Sequence, residues 1–173
     1  GVLQLGVDNA LLNGTALTVA GGSAVLSLGN TTQAVGAVTL VSGSLLGGTL
    51  TGSSYLVQSG NVTTVLGGTS SALVKSGAGT VVLNAANQYG GGTTVNDGVL
   101  QLGVDNALLN GTALTVDGGS AVLSLGSTNQ AVGAVTLVSG SLLGGTLTGS
   151  SYLVQSGNVT TVLGGTSSAL VKS

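Results

Sequence analysis

Short runs in which apolar and polar residues alternate recur along the whole chain, separated by glycines and small polar residues. Alternation is the period of a strand with one face buried, and no stretch sustains the period of about 3.6 that a helix requires. The runs also echo one another. Gly1-Val2-Leu3-Gln4-Leu5-Gly6 returns as Ser23-Ala24-Val25-Leu26-Ser27-Leu28-Gly29, and Thr15-Ala16-Leu17-Thr18-Val19 returns as Gly36-Ala37-Val38-Thr39-Leu40, at offsets of 23 and 21 residues. Such spacing fits one coil of a parallel β-helix, in which each coil lays its strands over those of the coil before. The alignment sets Leu3 over Leu26, Leu5 over Leu28, Leu17 over Val38 and Val19 over Leu40, and alternation turns Gln4, Ser27, Thr18 and Thr39 outward. Three more strands are expected within Ser44–Gly52, Tyr55–Gly60 and Asn61–Gly68. Asn9–Gly14 is too short for a stable helix and reads as a loop.

A longer period lies over the shorter one. Residues 1–76 return as residues 98–173 with three changes, Ala20 to Asp117, Asn30 to Ser127 and Thr32 to Asn129, so the chain is a tandem array of period 97. All three changes fall beside glycine or in short polar clusters, where turns tolerate them. The organisation expected is one module over residues 1–97 and a shorter second over 98–173, stacked as one continuous solenoid. At roughly 19 to 24 residues per coil, each module holds about four or five coils. Coils about 4.8 Å apart then make each module rise roughly 19 to 24 Å along the axis.

Composition explains how such a stack is tolerated. Charged residues make up 3% of the chain and comprise Lys75, Lys172, Asp8, Asp97, Asp105 and Asp117; hydrophobic residues make up 42%. Like charges stacked in register would repel, so a nearly uncharged chain suits this architecture. There is no Arg and a net charge of −2, which excludes a basic surface for nucleic acid. The chain is too apolar for intrinsic disorder. Absence of cysteine removes disulfides from the account. No window reaches the ~18 to 20 apolar residues of a membrane helix, and aromatic girdles are lacking, so membrane insertion of this segment is not expected. Gly1–Gly22 has no basic start and no continuous apolar stretch, so the chain reads as starting inside a longer polypeptide.

Candidate sites are few. Asp8-Asn9 and Asp105-Asn106 offer one carboxylate per module, too few oxygens for Ca²⁺, and read as Asx turns. Asn96-Asp97-Gly98 has the form of a tight turn. Gly90-Gly91-Gly92-Thr93-Thr94 lacks the lysine and helix of a phosphate loop and reads as a turn. Lys75 is expected to keep its ammonium in solvent while its stem covers the strand. Tyr55, Tyr89 and Tyr152 are too sparse for a glycan-stacking groove and are expected to cover corners of the helix. The Asn-x-Thr patterns at Asn13, Asn30, Asn61, Asn110 and Asn158 carry little weight in a chain this rich in Asn and Thr. Glu, His and Cys are absent, so clustered carboxylates, an activated serine and a thiol nucleophile are all missing. No catalytic, cofactor-binding or metal-binding residue is assigned, and no enzymatic activity is expected.

Residues Leu73–Gly103 carry a more specific pattern. A Leu-x-Lys-x-Gly start leads through Gly79-Thr80-Val81-Val82-Leu83 and Ala86-Asn87-Gln88-Tyr89 to Gly91-Gly92-Thr93-Thr94-Val95. The Asp97-Gly98 turn and the Leu100-Gln101-Leu102 strand follow. This resembles the passenger-associated repeat of bacterial autotransporters. Its beginning recurs at Leu170–Ser173 and its end at Gly1–Leu5. The resemblance implies a right-handed parallel β-helix, exported to the surface of a Gram-negative bacterium.

The function expected is therefore structural: an all-β, right-handed parallel β-helix acting as the stiff extracellular shaft of a secreted adhesin, autotransporter-like passenger or surface filament. Its expected partners are further copies of the same repeat, in the same chain or end to end, and the surface of a host or neighbouring cell. The alternative is a binding surface along the shaft for glycans, other cells or ice. For ice, Thr49-Leu50-Thr51 and Thr146-Leu147-Thr148 supply one Thr-x-Thr pair per module, where a regular array needs one per coil.

Overall fold

The computed structural model describes residues 1–165 and 168–173, and over them the chain is a parallel β-solenoid of about nine coils, built from 18 strands and no helix. Every strand pair is parallel, and each coil crosses three faces before returning above its start. The echoes of the sequence are the actual stacking: Leu3 pairs with Leu26 on the first face and Leu17 with Val38 and Val19 with Leu40 on the third.

On the third face the pairing runs without interruption through Leu17, Val38, Tyr55, Leu73, Thr93, Leu114, Val135, Tyr152 and Leu170. Five coils separate Leu17 from its copy Leu114, with the link made by Thr93 between Leu73 and Leu114. Coils on this face are 17 to 21 residues long, shorter than the 19 to 24 expected, because the middle coils Val38–Tyr55–Leu73 turn their corners with fewer residues.

The first face is less regular. Its column runs Leu3, Leu26, Leu45, Val62, Leu83 and Leu102. Leu102 is the copy of Leu5 and not of Leu3, so this face slips by two residues over one 97-residue period. A slip of two is one full pleat and leaves every side chain on its own side, whereas a slip of one would expose the column.

The core is the stack of inward columns. Leu28, Leu45, Val62, Leu83, Leu100 and Leu123 are wholly buried with their neighbours in one continuous cluster. Each such Leu or Val contributes about 1.5 to 3 kcal/mol relative to exposure. Burial falls away at the two ends of the stack, where Val2, Leu3 and Leu12 at one end and Leu170 and Val171 at the other stand more than half exposed. Outward Gln4 and Thr18 are exposed as expected.

Tight corners demand glycine where backbones of successive coils touch. Gly60 has φ of 134°, and a Cβ there would collide with the carbonyl of Gly43 directly beneath it. Both reasons exclude any other residue at this corner.

Candidate functional site

Several chemistry-bearing side chains of this chain lie inside it, and others at its surface join one coil to the next. Lys75 is the clearest case, and it corrects the expectation of a solvated ammonium. On the third face it occupies an inward position between Val57 and Val95 and is fully buried. Its Nζ donates to the carbonyls of Ser76 at 2.9 Å, Gly77 at 2.6 Å and Asp97 at 2.9 Å. The alternation of Leu73-Val74-Lys75 forces the side chain inward, and the three carbonyls of the adjoining corner give the charge its partners. Burial lowers the Lys75 pKa, and the Asp97 charge partly opposes that shift.

Asp97 holds the opposite side of the same corner. It forms the tight turn expected, with Gly98 at φ of 63°. Its Oδ1 accepts from the Gly98 N–H at 2.8 Å and from Ser120 Oγ at 2.6 Å, one coil further on. These donors favour the ionised form: the Ser120 hydroxyl first, then the Gly98 amide, hold the carboxyl below its ordinary value of 3.8. A depressed carboxyl pKa adds stability that is present above the unfolded value and is lost as pH falls through the folded one. The corner is therefore expected to loosen only below the ordinary Asp range. A carboxyl NMR titration of Asp97 checks this, and Asp97→Asn should remove that part of the acid response.

Asp8 and Asp105 lie in turns whose Asn9 and Asn106 adopt φ of 50° and 51°. Their carboxylates do not close a local Asx turn as expected. Asp8 accepts from the Thr32 N–H and Asp105 from the Asn129 N–H, both at 2.8 Å and both 24 residues on, so each clamps its loop to the following coil. Gly90 and Gly91 form a corner that donates to the Gly68 and Ser71 carbonyls. Their N–H groups are spent on protein and leave no phosphate cradle.

The tyrosines are core residues and not corner covers. Tyr55 and Tyr152 stand inward in the third-face column, and Tyr89 is fully enclosed with its ring centroid 5.9 Å from that of Tyr55. The Tyr55 hydroxyl accepts from Gly52 N–H at 2.8 Å and sits 2.7 Å from the carbonyls of Leu50 and Gly67. Tyr89 pairs with Thr93 Oγ1 at 2.8 Å, which is why a threonine can stand inside the column. Burial raises the pKa of both phenols, so they stay neutral donors.

Sequence reasoning missed a column of buried amides on the second face. Gln33 stacks on Leu50, and Gln130 on Leu147. Asn87 sits between Leu66 and Ala107: Oδ1 accepts from Leu66 N–H at 2.9 Å, and Nδ2 donates to the carbonyls of Ala85 at 3.0 Å and Ala107 at 2.9 Å. Gln130 repeats the theme on Leu108, accepting from its N–H and donating to its carbonyl. The available signal was Gln33 and Gln130 at inward positions of alternating strands; Asn87 lies between strands and gave no such signal.

The surface offers less. Thr49 and Thr51 pair with Thr32 and Ala34 beneath them. Of the Asn-x-Thr positions, Asn13, Asn30, Asn110 and Asn158 are exposed, whereas Asn61 accepts a hydrogen bond from Asn84 through Oδ1 at 2.7 Å. Among the described residues no group of three His, Cys, Asp or Glu side chains comes together.

Stacked parallel coils bridged by polar side chains define a repeat-built β-solenoid. Residues 73–102 match the model of the passenger-associated-transport-repeat, and the chain carries this autotransporter passenger repeat. The chain is also similar to the adhesin BmaC autotransporter of Brucella suis biovar 1 (strain 1330), at 32% identity over 154 residues. That alignment covers 87% of this chain and 4% of the relative. No solved structure matches it significantly. The matched segment contains both Lys75 and Asn87, so the repeat pattern marks residues that tie coils together.

Proposed function

We propose that this chain is a stiff, extensible shaft segment of a secreted bacterial surface passenger of the adhesin type, working by length and chemical inertness and not by catalysis. The observation that carries this reading is the unbroken third-face column, which passes from Leu73 through Thr93 to Leu114 with no change of architecture where one copy meets the next. A stack of this kind gains stability from each neighbour and can be lengthened without a new core. Copies related by 97 residues already stack on one another within the chain, and further copies of the same repeat are the partners we infer. Similarity to an autotransporter adhesin supports an extracellular location on a Gram-negative cell.

Chains built with one, two and four copies of residues 1–97 test the reading. Five coils per copy at about 4.8 Å predict ~24 Å of added length for each, by small-angle scattering or electron microscopy, with the cross-section constant. Growth in girth would overturn it. Binding to cells or glycans that strengthens with copy number would favour a binding shaft instead.

A further inference from the structure

The outer side of the third face has a relief that sequence inspection did not reveal. Between the inward columns stands one outward column, and pairing places Thr18 beneath Thr39, Leu56 above Thr39, and Thr94, Thr115 and Thr136 on consecutive coils. Leu153 and Val171 then repeat Leu56 and Val74 one period later. This is a ridge of Thr and aliphatic side chains along the whole shaft. Leu56, in the middle of the stack, is 36% exposed. Two residues earlier on each strand, at the preceding outward position, the paired residues are short, as at Ala37 with Ser54 and Ala134 with Ser151, so a shallow groove runs beside the ridge. Neither ridge nor groove carries a charge. Asp117, at the far margin of the same strand, is exposed and supplies a polar rim.

We propose that this face is a lateral interface on which a second copy of the chain lies side by side. A twofold axis parallel to the shaft would set the ridge of each copy over the groove of the other, with like coils level. The surface is then complementary to itself, as an isologous contact requires. Sheets packed this way interlock small side chains at about 10 Å separation. Nine coils at ~4.8 Å and a two-column width of ~13 Å give roughly 560 Å² per chain, or ~1,100 Å² for the pair, just above the ~1,000 Å² expected of a specific interface. Every added module enlarges the contact in proportion. The absence of charge removes the repulsion that would otherwise keep identical surfaces apart. The inference stands on the fold and is independent of the shaft's proposed role.

Sedimentation equilibrium and small-angle scattering on the purified chain test it. Lateral pairing doubles both the mass and the mass per unit length of the 16.2 kDa chain while leaving its length unchanged. The double variant Thr39→Lys, Thr136→Lys keeps its new ammonium groups in solvent in the free chain, and in the pair it would press each one into the partner's groove with a like charge level with it on the other side of the axis. It should fold with an unchanged circular dichroism spectrum and associate at least about tenfold more weakly. Val82→Lys, on the first face, should pair as the parent does. The proposal is overturned if the chain stays monomeric at high concentration. It is likewise overturned if mass doubles at constant mass per unit length, the mark of end-to-end joining, or if the Thr→Lys variant pairs undiminished. Monomers that instead bind ice or insoluble glycan through this face would overturn it too.

Discussion

Leu83→Asp is expected to cost ~4 kcal/mol or more and to melt several coils, whereas Val82→Asp on the same strand should change stability by less than ~1 kcal/mol. Leu83 lies between Val62 and Leu102 in the inward column of the first face, and all three are buried. A carboxylate there has no water and no donor, and the nearest coils above and below are equally apolar. Its neighbour Val82 points outward between Asn61 and Gln101, where a carboxylate remains hydrated. Urea unfolding of the two variants checks the assignment. Equal losses would mean that the inward and outward columns are exchanged.

Asn87→Leu is the second large effect. The substitution keeps the volume and removes the amide, leaving Leu66 N–H and the Ala85 carbonyl without their partner, while the Ala107 carbonyl keeps only the backbone N–H of residue 87. A buried backbone group left unsatisfied costs about 1 to 3 kcal/mol, so a loss of ~3 kcal/mol or more is expected. Because the amide joins neighbouring coils, amide exchange should accelerate on both sides of position 87. Gln88→Leu, at the adjacent exposed position, should leave exchange and the urea midpoint nearly unchanged. A purely hydrophobic account of this column predicts the reverse, with Asn87→Leu stabilising.

The two substitutions probe different kinds of cohesion. Leucine and valine columns supply most of the driving force, but they are indifferent to small slips along the strand, as the two-residue slip of the first face shows. Hydrogen-bonded side chains are not indifferent. Lys75, Asn87, Gln130 and the Asp8 and Asp105 carboxylates each engage a particular backbone group on their own or the adjoining coil, and this pins register where apolar packing would not. A nearly chargeless chain thus uses several of its polar side chains to fix the stacking.

The strand alternation, the echoes at 23 and 21 residues and the period of 97 determined the solenoid, its stacking order and the inward identity of Leu26, Leu28, Val38 and Leu40. All of these follow from local periodicity, which a one-dimensional fold translates directly into space. The repeat at residues 73–102 was legible for the same reason. What the tertiary structure decided were the fates of single polar residues. Lys75, Tyr55 and Tyr89 were expected at the surface and are buried, because a side chain's environment depends on which carbonyls the neighbouring coil presents, 12 to 22 residues away in sequence. Corner lengths of individual coils, the slip of the first face and the alignment of Thr94, Thr115 and Thr136 into one ridge were likewise settled only by stacking. A sequence displays its own alternation, but it does not display the register between coils, which is set by the sum of many weak contacts and a few specific hydrogen bonds.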